Sequence, residues 1–234
     1  AATPSIDDTQ TAMPFAPLSF SDPESNGGTI KITYTGANGT LSGTGLTGTA
    51  GDYTLTGANP TELTSRLQAL EFTPTENQVA PTTTVQTTFT LTPNDGSLNG
   101  TVNSATQVTA TSVNDAPTDI TLSSTSVNQS GGTDAVVGTL GADDPDTGDT
   151  ATFSLASGSG DTDNGSFNVS GTDLRADDAA ALAPGTYSVR VQVTDSQSAT
   201  LEEAFTAITV VDDIAPPAPA VTGITDDTGR SGSD

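Results

Sequence analysis

The chain has 234 residues and a formal net charge of -24, from 29 acidic residues against 5 basic ones, with neither cysteine nor histidine. That charge repels phosphate backbones and anionic lipid surfaces, which argues against nucleic acid as a partner, and with no stretch of about 18 apolar residues nothing here spans a bilayer. The missing side chains exclude thiolate and imidazole catalysis, disulfide frameworks and the usual zinc sites, and leave a divalent cation as the partner the balance invites.

From the N-terminus, AATPSIDDTQ offers no initiator Met, no charged n-region and no apolar h-region, so it reads as a piece cut from a longer chain. Only 32% of residues are hydrophobic, but they recur with period two, as in half-buried strands. TIKITYT at 29–35 places Ile30, Ile32 and Tyr34 on one face. NPTELTSRLQALEF at 59–72 breaks the pattern, with Asn59 as N-cap, Pro60 at N1 and Glu62 at N3. Leu63, Leu67 and Leu70 then share a face, which predicts one short helix over the first sandwich. VQTTFTLT at 85–92 returns to strand periodicity, with Val85, Thr87, Phe89 and Leu91 aligned.

TSVNDAPTDI at 111–120 is the clearest boundary. Beyond it, ADDPDTGDT at 142–150 gathers Asp143, Asp144, Asp146 and Asp149 around a proline and a glycine. Like charges so close raise one another's pKa unless a cation is shared among them. SFNVSG at 166–171 reads as a strand with Phe167 and Val169 inward, and Asp143, Asp161 and Asp163 read as solvated turns. TYSVRVQVTD at 186–195 turns Tyr187, Val189, Val191 and Val193 inward, and Ser188, Arg190, Gln192 and Thr194 to solvent. VVDDIAPPAP at 210–219 repeats the boundary punctuation. Short strands between Gly, Asn, Asp and Pro clusters predict all-β, tandem antiparallel Greek-key sandwiches. The expected domains are residues 1–113, residues 114–213, and the start of a truncated third unit at 214–234.

The second segment resembles a cadherin-type repeat, through Asn114-Asp115-Ala116-Pro117, Asp144-Pro145-Asp146-Thr147-Gly148-Asp149, Phe153-x-Leu155, Phe167-Asn168-Val169 and Tyr187-x-Val189-x-Val191-x-Val193-x-Asp195. The first is similar to a related tandem repeat of giant bacterial surface adhesins, through SFSDPES, NGTLSG, DYTLTG, LQALEFTPTEN, TTFTLTPNDG and SVNDAP. APPAPAVTGITDD looks like the opening of a bacterial immunoglobulin-like repeat. The resemblance implies consecutive extender domains of a long, calcium-dependent, RTX-type adhesin on a bacterial cell surface, outside the cell. It implies calcium ligands at Asp144, Asp146 and Asp195, with Asn114 and Asp115 from the linker, Asp149 beside them, and Asp22, Glu24 or Asp95 from the first domain. Asp212 and Asp213, with Asp226 and Asp227, would serve a further site toward the third unit. One departure is AAALAPGTY, which stands where cadherin repeats carry an LDRE-like motif and holds no acid between Asp178 and Asp195.

These acidic loops are not EF-hands, because Gly148 and Leu155 fill positions five and twelve counted from Asp144. A glycosidase would set two carboxylates across a cleft lined by aromatic platforms, and a chain that is 4% aromatic with no Trp offers none. The reading is therefore a spacer and not an enzyme, its partners being neighbouring repeats of the same chain. A ligand-binding module for carbohydrate or peptide remains the alternative. Weak homodimerisation also stays open, although polar edges and high charge oppose it.

Overall fold

The computed structural model describes residues 3–23 and 27–216. The first half contributes β1 (Ser5–Asp7), β2 (Gly28–Thr33), β3 (Gly39–Ser42), β4 (Leu46–Thr49), β5 (Asp52–Gly57), helix α1 (Pro60–Gln68), β6 (Glu71–Pro74), β7 (Thr84–Asn94) and β8 (Asn103–Thr111). The second contributes β9 (Asp119–Leu122), β10 (Ser126–Asn128), β11 (Thr133–Asp143), β12 (Thr152–Leu155), β13 (Phe167–Ser170), β14 (Asp173–Asp178), β15 (Gly185–Thr194) and β16 (Thr200–Val211). The protein is all-β with one short helix. The expected boundary at 113/114 falls in the extended stretch between β8 and β9.

In the first half one sheet runs β1-β8-β7-β2-β5-β4, and a β3-β6 pair, widened by a bridge from Ala12 to Phe72, forms the opposing layer. The period-two residues fill the space between: Ile30, Ile32, Phe89 and Leu91 are buried, and Phe72 and Phe15 meet Phe89 edge-on with centroids 5.1 and 5.2 Å apart. Gly39 is needed where β3 approaches β6, since its φ is +148° and a Cβ would lie 2.3 Å from the Thr73 carbonyl oxygen. Helix α1 starts as its sequence dictates, with Asn59 Oδ1 accepting from the Glu62 N–H at 2.9 Å. It closes the core with Leu63 and Leu67, and Leu70 just beyond it is equally buried.

The second half packs the sheet β10-β16-β15-β12 on the sheet β13-β14-β11-β9. Strands distant in sequence lie side by side, as in a Greek key: β11 pairs with β14, β12 with β15, and β10 runs parallel to β16. Val189, Val191, Val193, Ile208 and Leu174 form a separate core with Phe167.

The outward face of β15 departs from its expected solvation. β12 pairs with β15 only from Val191 to Thr194, so the preceding β15 N–H groups on that edge need other acceptors. Asp163 takes the Ser188 N–H at 2.7 Å and Asn164 Oδ1 takes the Arg190 N–H at 2.9 Å. Asp163 is thus a structural acceptor and not a solvated turn residue.

Candidate functional site

The chain leaves the first sheet at Thr111 and enters the second half at Asp119. Loop ends gather around that passage. Asp8, just past β1, is 3% exposed; its Oδ1 accepts from the Val113 N–H at 3.2 Å and its Oδ2 from the Asn77 N–H at 3.0 Å. Asn77 stands in the β6–β7 loop in a left-handed conformation, φ 54°, which asparagine tolerates better than most residues. Its Nδ2 donates to Asp115 Oδ2 at 3.0 Å, and its carbonyl accepts from Thr147 Oγ1.

The linker and the β11–β12 loop complete the cluster. Asn114 Nδ2 donates to Asp195 Oδ2 at 2.9 Å, and the Asp115 N–H donates to Asp146 Oδ2 at 2.8 Å. Asp144 Oδ1 accepts from the Asp146 N–H at 2.8 Å, and Asp195 Oδ1 accepts from the Gln197 and Ala199 N–H groups, each at 2.8 Å. Carboxylate oxygens of Asp144, Asp149 and Asp195 lie within 4.8 Å of one another. The structure therefore brings together Asp144, Asp146, Asp149, Asp195, Asn114 and Asp115.

Four oxygens of this region are buried without a hydrogen-bond partner in the protein: Asp144 Oδ2, Asp146 Oδ1, Asn114 Oδ1 and Asn77 Oδ1. All are acceptors, and a buried acceptor left unpaired costs roughly 1–3 kcal/mol, more if charged. Among the described residues, basic side chains do not answer them. Lys31, Arg66, Arg175 and Arg190 form their ion pairs elsewhere, with Asp52, Glu62, Asp173 and Glu202. Burial pushes the Asp146 carboxyl up; the Asp115 N–H pulls the other way, while the charges of Asp144, Asp115 and Asp149 add to the rise. At Asp195 burial is also the largest influence and favours the neutral acid. There, hydrogen bonds from Asn114 and from the Ala199, Gln197 and Ser198 N–H groups together outweigh burial and lower its pKa. Ionised and neutralising tendencies thus meet within one cluster of oxygens, the donor set a hard cation such as calcium takes six to eight at a time.

Of the ligands expected from the first half, Asp22 and Asp95 are placed elsewhere. β7 begins opposite Thr111 and runs 11 residues to Asn94. At about 3.4 Å per residue, Asp95 stands about 35 Å along the strand from the junction. Asp22 lines a cavity of ≈ 450 Å³ there with Asp95, Phe20 and Leu98. Asp95 is turned inward on its own loop, where the Leu98 and Ser97 N–H groups lower its pKa. Glu24 lies outside the described residues. Asn77 and Asp8 occupy the junction instead; the sequence signal for Asn77 was faint, an Asn in a turn after the single acid Glu76 and outside any acidic cluster.

Asp213 holds the end of β16 to the 129–131 turn by accepting from both the N–H and the hydroxyl of Ser130, which lowers its pKa. Asp212 Oδ1 accepts from the Ile214 N–H at 3.1 Å. Asp226 and Asp227 lie outside the described residues.

No protein-family model matches the chain, and no curated protein matches it. Among solved structures 90 chains match. Drosophila N-cadherin EC1-4 is 15% identical with a TM-score of 0.41, covering 90% of this chain and 48% of that one. Protocadherin gamma B7 extracellular cadherin domains 1-4 are 13% identical with a TM-score of 0.42, covering 90% and 49%. Human protocadherin-24 EC1-2 is 16% identical with a TM-score of 0.40, covering 90% and 95%. The chain thus spans about half the length of the first two. Similarity at this level assigns it to no family.

Proposed function

We propose that the chain is a pair of spacer repeats, joined at Asn114, from a large RTX-type adhesin on a bacterial cell surface, where calcium held between the repeats stiffens the rod that projects a distal adhesion domain. The bacterial and RTX parts of this reading rest on the sequence resemblance alone. One observation carries the calcium part: Asp144 Oδ2, Asp146 Oδ1, Asn114 Oδ1 and Asn77 Oδ1 are buried without protein donors beside the Asp144, Asp149 and Asp195 carboxylates. Asp144, Asp146, Asp149 and Asp195, with Asn114 and Asn77, would hold the ion, and Asp115 would orient Asn77 and Asp146. The bound ion supplies a positive charge that all these oxygens share, which turns their mutual repulsion into a tether. Asn77 belongs to the first half and the carboxylates to the second, so occupancy would restrain the hinge between them.

Thermal melts in calcium, in magnesium and in chelator test this. One site held at 100 times its dissociation constant adds about 2.7 kcal/mol, a rise of roughly ten degrees or more for a repeat of this size. Asp144→Ala is expected to abolish most of the rise. Identical melts in all three solutions would sink the proposal.

A ligand-binding module remains the second reading, and the ≈ 450 Å³ cavity at the far end of the first sheet is the feature in its favour. Glycan or peptide capture that is unaffected by Asp144→Ala and lost on filling that cavity would support it.

A further inference from the structure

Behind the junction, between the β6–β7 loop and the ends of β1 and β8, lies a cavity of ≈ 10 Å³ lined by Asp8, Asn38, Pro74, Gln78, Val85 and Ser112, among others. A cavity of that size has room for about one water molecule. Two polar atoms of its lining lack partners. Ser112 is 3% exposed and its hydroxyl has no hydrogen-bond partner within the protein; Gln78 Oε1 is likewise buried and unpartnered. The Gln78 amide cannot turn round at no loss, because its Nε2 donates to Asn38 Oδ1 at 3.2 Å. Asp8, also 3% exposed, has received one backbone N–H on each oxygen and retains accepting capacity.

We infer that this cavity holds one resident water molecule, which donates to Gln78 Oε1 and to the Asp8 carboxylate and accepts from the Ser112 hydroxyl. The count of groups selects water over a cation. Two acceptors and one hydroxyl meet the two hydrogens and one lone pair of a water, with the second lone pair left over. Calcium would draw six to eight oxygens onto itself, whereas of this lining only Gln78 Oε1 and Ser112 Oγ are buried without a partner. Buried waters with about three such bonds are part of a fold. This one ties Gln78, the neighbour of Asn77, to Asp8 and Ser112, and so braces from behind the loop that reaches the second half.

A high-resolution crystal structure of the intact chain, grown with and without thallium, tests the assignment. A single peak within about 2.7–3.2 Å of Ser112 Oγ, Gln78 Oε1 and an Asp8 oxygen, with no anomalous signal, supports it. An anomalous peak there makes the occupant a monovalent cation and overturns it, as does the absence of density. Oxygen-17 relaxation dispersion in solution gives a second readout. Ser112→Val, which removes the hydroxyl and fills the space, is expected to lose one long-lived water relative to the unsubstituted chain. An unchanged count in a folded Ser112→Val overturns the inference.

Discussion

Asn77 Nδ2 donates to Asp115 Oδ2 at 3.0 Å, across 38 positions of sequence and from one half of the molecule to the other. The same residue's backbone N–H is held by Asp8 and its carbonyl by Thr147. The left-handed turn that makes this reach feasible, φ 54°, is open to Asn and Gly and costly for alanine. Asn77→Gly keeps the turn and is therefore expected to melt within a few degrees of the unsubstituted chain in chelator, having lost only the Asp115 hydrogen bond, but to bind calcium about tenfold more weakly, having lost an amide oxygen beside charged groups. Asn77→Ala should lose both, because the turn itself becomes strained by about 1–2 kcal/mol. Calorimetric titration beside chelator melts separates the two variants.

Asp146 is 5% exposed and crowded by three other acids. Removing its charge should therefore act in opposite directions with and without metal. In chelator, Asp146→Asn is expected to raise the melting temperature by a few degrees, since burial and repulsion no longer penalise an ionised group. In calcium it should lower it by more than that. Equal shifts in both solutions would mean that Asp146 serves only to accept the Asp115 N–H.

Tyr34 supplies a pH dependence away from the junction. Burial raises its pKa to about 12, against an unfolded value near 10, and its hydroxyl donates to the Gly39 carbonyl at 3.0 Å. Between those values the unfolded chain has released a proton that the folded chain keeps, so stability falls as pH rises. Urea midpoints from pH 9 to 12 should drop for the unsubstituted chain more steeply than for Tyr34→Phe. At neutral pH that variant is expected to lose only about 1 kcal/mol for the hydrogen bond.

Helix α1 separates capping from packing. Asn59→Ala removes the oxygen that takes the Glu62 N–H and should cost about 1 kcal/mol. Leu63→Ala, at a fully buried position, should cost about 2–5 kcal/mol. Urea unfolding at fixed calcium checks the order, and a capping loss as large as the packing loss would contradict it.

Local pattern, readable from neighbouring residues, determined much of this protein. Ile30, Ile32, Phe89 and Leu91 alternate because a strand presents every second residue to one face, and Asn59-Pro60 opens a helix because a cap and a preset φ act within a few positions. The gathering of Asp144, Asp146 and Asp149 in one loop was equally legible, since a short loop confines its own acids. What the sequence left undecided depends on contacts between distant segments. Asp95 looked available to the junction, but the register of β7 against β8 carries it to the opposite end of the sheet. Asp163 looked solvated until the short β12 left edge N–H groups of β15 in need of an acceptor. Asn77 became the first half's reach into the junction only when the fold set its loop against Asp8, Asp115 and Thr147, 69, 38 and 70 positions away. Periodicity reports which face a residue occupies; which end of a sheet it reaches, and what it meets there, is decided by strand register and loop closure in three dimensions.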